Sequence, residues 1–79
     1  MHRFIDRVIE RCGINMECRE GGVRDGVSAI AFYEGQIQNE QMRVTLQKEI
    51  NAFRERDEYK RITPEPTIII WKDTFIVSF

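Results

Sequence analysis

The side chains equipped for chemistry are few in this sequence and widely spaced. There is one histidine, His2. A serine or cysteine nucleophile needs a base held within hydrogen-bond reach, and a histidine at a chain end is expected to fray rather than serve as one. Asp6 and Glu10 stand one helical turn apart and could share a divalent cation. Such a cation takes roughly six to eight oxygen ligands, and no third ligand stands at a matching spacing. Arg3 and Arg7, three residues before these acids, pair with them more simply. Cys12 and Cys18 are too few for a disulfide framework and lack a zinc spacing. They read as buried thiols in a reducing compartment. Gly21-Gly22 has none of the rest of a nucleotide fingerprint and reads as a turn. These residues argue against catalysis, and against a bound metal or cofactor.

Aromatic residues offer a different chemistry. Some four-stranded sheets stack nucleic-acid bases on exposed rings. Trp71, Tyr33, Phe32 or Phe75 could do so beside Arg19 and Arg24. The motif that marks such sheets, a basic residue followed by glycine and spaced aromatics on one strand, is absent. Twelve basic and thirteen acidic residues leave a net charge of −1, which gives little attraction to phosphate. Single-stranded RNA or DNA binding is therefore the second reading. No apolar stretch approaches the roughly 20 residues that cross a bilayer, and MHRFIDRVIERCG lacks the apolar core of a signal peptide. The expected location is the cytoplasm, with no membrane association and no small-molecule substrate.

The element around which the rest must be arranged is the segment 67–79, TIIIWKDTFIVSF. β-Branched and aromatic residues fill both halves and Lys72-Asp73 interrupts them, which predicts two strands and a tight turn. A two-residue loop pairs Trp71 with Thr74, Ile70 with Phe75 and Ile68 with Val77. Alternation then places Ile68, Ile70, Phe75, Val77 and Phe79 on one face, and Ile69, Trp71, Thr74, Ile76 and Ser78 on the other. Lys-Asp suits a primed turn poorly, because neither residue favours positive φ. Both faces carry large apolar side chains. A hairpin with one face in water should alternate cleanly, so the second face requires a cover, from this chain or from a partner.

Upstream, Phe4, Ile5, Val8, Ile9 and Cys12 form one stripe of a helix over residues 2–12, closed by Gly13. Arg3, Arg7 and Arg11 form a second stripe, which is either a solvated flank or a small cationic edge for an acidic partner. Ile14 to Glu20 alternates as a half-buried edge strand. Val27 to Tyr33 is nearly continuous apolar sequence and suits an interior strand, with Gly35 closing it. Asn39 caps a long helix reaching about Lys60, with Met42, Leu46, Ile50 and Phe53 facing the core. RERDEYKR is a solvated helix end anchored by Tyr59 and Ile62, and Pro64 and Pro66 end it.

Seventy-nine residues in this pattern make one α+β domain in the order αββαββ: a two-layer sandwich with a four-stranded antiparallel sheet and its helices on one face. The polar character of 14–20 and the apolar character of 27–33 and 75–79 predict the strand order three, four, two, one. This is a ferredoxin-like unit whose first strand has moved to the C-terminus, in other words a circular permutation. A β-grasp sheet, with strands one and four central and parallel, is the runner-up. An open face displaying Ile69, Trp71 and Ile76, with Tyr33 nearby, marks an interaction surface, and Arg3, Arg7 and Arg11 supply a second candidate contact. The expected function is a small protein-binding module. It would act as an inhibitor, an adaptor or a self-associating homodimer, a class that includes phage and mobile-element inhibitors of bacterial defence systems.

Overall fold

The structure, a computed structural model, describes residues 2–20 and 31–79. Gly21-Gly22, Arg24 and the 27–30 part of the expected interior strand lie outside the described residues.

The chain opens with α1 (Arg3–Arg7), which continues directly into a π-helical turn, Val8–Cys12, and ends at Gly13 with φ 69°. The wider turn has a reason in the sequence. Phe4, Val8 and Cys12 recur every four residues, and an α-helix lets that spacing drift by about 40° per step. A π-turn, with its longer i→i+5 closure, takes back the drift. All three side chains are buried.

Strand β1 (Met16–Glu20) pairs with β2 (Ala31–Gln36), and helix α2 (Glu40–Glu55) follows. Asn39 caps α2: its Oδ1 accepts from the Met42 N–H at 2.9 Å. The single long helix expected to reach Lys60 is in fact two. Arg56 is extended, with φ −77° and ψ 149°, and a short α3 (Asp57–Lys60) restarts beyond it. In an unbroken helix Tyr59 would lie about 120° around the axis from Phe53. The break swings the Tyr59 ring edge-on to Phe53, with centroids 5.0 Å apart.

Strands β3 (Thr67–Trp71) and β4 (Thr74–Ser78) close the fold, and the sheet order is β1-β2-β4-β3, antiparallel throughout. This is the order predicted from the strands' polarity, that of the permuted ferredoxin-like arrangement. A β-grasp sheet would set β1 beside β4, whereas β2 stands between them. Trp71 pairs with Thr74, Ile70 with Phe75 and Ile68 with Val77, so the turn is the two-residue loop Lys72-Asp73.

Gly35 does not close its strand; β2 runs on to Gln36. The residue must be glycine for space. A Cβ there would overlap Met16 Sδ and sit 2.7 Å from Ile14 Cγ2, so these two side chains pack directly on the strand backbone.

The core lies between the sheet and the helices. Phe4 stacks on Phe53 with centroids 4.2 Å apart and meets Phe75 edge-on at 6.4 Å. Val8, Leu46, Ile50 and Val77 are buried with them in the same cluster. Both helices therefore cover the same face. Among the described residues no buried side-chain nitrogen or oxygen lacks a hydrogen-bond partner. Cys12 is buried, but Cys18 is exposed, contrary to the expectation for both thiols. Cys18 sits on edge strand β1, where the helical layer does not reach it.

Candidate interaction surface

The register fixes which side chains share the uncovered face. Ile69 lies opposite Ile76, Trp71 opposite Thr74, Glu34 between Ile76 and Glu17, and Phe32 opposite Arg19. The face is divided. Its β3–β4 half is apolar: Trp71 is 68% exposed and Ile69 45% exposed, with Ile76 half-buried beside them. Lys72 Nζ stands 5.9 Å from the Trp71 ring centroid, a cation over an aromatic face. The β1–β2 half is polar. Arg19 bridges two acids, reaching Glu34 at 2.7 Å and Glu17 at 3.0 Å. A shallow groove runs beside this cluster, lined by Asn15, Glu17, Arg19, Glu34, Gln36 and Gln38.

Trp71, Ile69 and Ile76, predicted to line one surface, do so. Tyr33 does not join them. It pairs with Val77, which places it on the helix-covered face, packed against the core and edge-on to Phe79 at 6.0 Å. Strand alternation decides this, and the relevant register could be read only after β2 was aligned with β4. Phe32, its neighbour, is the β2 aromatic on the open face. The Arg19 cluster was legible only as scattered charges, because its members come from two strands.

The arginine stripe is not a free cationic edge. Arg7 Nη1 donates to Glu58 Oε1 at 2.9 Å, and Arg11 Nη1 to Glu49 Oε1 at 3.1 Å. Glu49 is only 8% exposed, so Arg11 satisfies a carboxylate inside the helix–helix seam. Arg3 and Arg11 are both exposed, and Arg3 alone of the three appears in no ion pair among the described residues. The acids that pair with the stripe are thus Glu58 and Glu49, not Asp6 and Glu10. Glu49 had one signal in the sequence: it sits three residues after Leu46 on the core-facing stripe of α2. The hydrogen bond from Arg7 holds the Glu58 carboxyl below the usual 4.5.

His2 is tied down rather than frayed. Its Nδ1 accepts from the Phe4 N–H at 3.1 Å and its ring stacks on Phe79 at 4.0 Å. Burial lowers its pKa from 6.5. Burial likewise raises that of the Cys12 thiol. Among the described residues no three metal-ligating side chains come together, and no helix is long and apolar enough to cross a membrane.

Sought among family models, curated proteins and solved structures, the chain finds no match.

Proposed function

We propose that the chain is a small protein-binding module, an inhibitor, adaptor or self-associating subunit, and that its working surface is the open sheet face centred on Trp71. The observation that carries this reading is the exposure of Trp71 on a strand anchored by five register pairs to β4. Tryptophan concentrates binding energy at interfaces when a partner desolvates it. A ring presented from a hydrogen-bonded strand loses little freedom on binding. The paired charges of Arg19, Glu17 and Glu34 flank the patch as a polar rim does. Nucleic-acid binding is less well supported, because Arg19 is already engaged by two acids that would repel phosphate.

The test is Trp71→Glu combined with a photocrosslinking residue at Ile76. The crosslinker should label a distinct partner in extracts of the native host, and the substitution should abolish labelling while the thermal midpoint stays within a few degrees. Undiminished labelling, or loss of the fold, would refute the reading.

A further inference from the structure

The two edges of the sheet differ in kind. On β1 the edge carries Glu17, Arg19 and Glu20, charges that discourage another strand from pairing. The β3 edge, Thr67–Trp71, has no charge, no proline and no bulge within the strand. In a two-residue hairpin the terminal pair, here Trp71 and Thr74, is the hydrogen-bonded pair, and the pattern alternates from it. Ile69 and Thr67 therefore bond inward to β4, while the N–H and C=O groups of Ile68 and Ile70 point outward from the sheet. Among the described residues nothing pairs with them. A shallow groove between α2 and β3, lined by Gln47, Ile50, Arg54, Ile68 and Ile70, leaves this edge approachable on the helical side as well.

We propose that this edge pairs antiparallel with the same edge of a second copy, about a two-fold axis at Ile69, joining two sheets into one of eight strands. That register sets Ile68 opposite the second copy's Ile70 and Ile70 opposite its Ile68, so all four outward-pointing residues exchange backbone hydrogen bonds. Moving the axis to Ile68 would oppose Ile70 with Pro66, which has no N–H to donate. The ends are complementary in charge as well. Exposed Glu65 precedes the uncharged strand and exposed Lys72 follows it. Antiparallel pairing brings each Lys72 opposite Pro66 of the other copy, beside its Glu65. Asp73, the other acid at that end, is already neutralised by Arg43 at 2.8 Å. An isologous interface needs a patch that complements itself, and this edge does so in hydrogen bonding, side-chain size and charge. The pairing does not depend on the open-face reading, although it would set the Ile69 and Trp71 side chains of two copies on one continuous surface.

The test is the mass of the full chain by sedimentation equilibrium across a concentration series, with far-UV circular dichroism as the fold control. The wild-type chain should approach twice its 9.4 kDa. Glu65→Lys sets like charges together at both ends of the interface and should weaken association roughly fivefold. The charge-swapped double variant Glu65→Lys/Lys72→Glu should restore it. Ile68→Pro removes an outward donor and no bond within the chain, and should leave a folded monomer. A wild-type monomer throughout the series, a dimer indifferent to both Glu65→Lys and Ile68→Pro, or one dissolved by Trp71→Glu while Ile68→Pro leaves it intact, would overturn the proposal.

Discussion

Arg43 holds Asp73 across the helix–sheet boundary. Its Nη2 donates to Asp73 Oδ1 at 2.8 Å and to the Lys72 carbonyl at 3.0 Å. The Ile37 N–H donates to the Asp73 carbonyl at 2.7 Å. This clamp explains how Lys72-Asp73 forms a tight turn that its residue types disfavour. Lys72 sits at φ 55°, a left-handed conformation that costs a non-glycine residue about 1–2 kcal/mol.

Two opposite substitutions follow from this clamp. Arg43→Ala should lower stability by about 1 kcal/mol, the scale of a partly exposed charged hydrogen bond. Lys72→Gly should raise it by roughly 0.5 kcal/mol, the relief of strain exceeding the added freedom of the unfolded chain. Urea denaturation midpoints check both. An unchanged midpoint for Arg43→Ala would mean that the turn stands without its clamp.

Gly35→Ala should destabilise the fold by about 1–3 kcal/mol, because the new methyl group enters space held by Met16 and Ile14. Shortening Met16 should relieve part of the clash. Gly35→Ala and Met16→Ala should therefore couple favourably in a double-mutant cycle, with an interaction of about 0.5 kcal/mol or more. Strict additivity would show that the methyl group is accommodated elsewhere.

The contact between His2 and Phe79 should respond to pH. Burial holds the folded pKa of His2 below 6.5, so the unfolded chain binds the extra proton more readily. The contact then contributes its full stability above about pH 6.5 and loses it as pH falls through the folded value. Phe79→Ala removes the stacked ring and should move the His2 midpoint, followed by NMR of its ring protons, upward toward 6.5. The Phe4 amide, which donates to His2 Nδ1, should lose protection from hydrogen exchange over the same range. A titration midpoint at or above 6.5 in the wild-type chain would contradict the burial argument.

Much of the fold was legible in the sequence because its signals are local. Apolar spacing in 4–12 and 42–53, alternation in 14–20, the β-branched and aromatic run of 67–79, and the Asn39 cap each follow from helix or strand geometry over a few residues. The strand order also followed, since the charged 14–20 suits an edge and the apolar 75–79 the interior of the sheet, and β1 and β4 take those places. The apolar excess on both faces of 67–79 pointed to Trp71 and Ile69 before any coordinate did.

Other features depend on relations between distant residues. Tyr33 and Phe32 exchange faces with the register of β2 against β4, and a strand read alone does not carry that register. Arg7 and Arg11 take Glu58 and Glu49 as partners because α3 and α2 lie beside the N-terminal helix, which no spacing along the chain encodes. Gly35 is required by the side chains of Met16 on β1 and of Ile14 just before it, and the break at Arg56 by the docking of Tyr59 on Phe53. The sequence alone determined the order of helices and strands and which segment is greasy on both sides, since those properties repeat within a turn or a pleat. Only the tertiary structure decided which charges are spent inside the molecule and which apolar groups remain in water, because both depend on what packs against them from elsewhere in the chain.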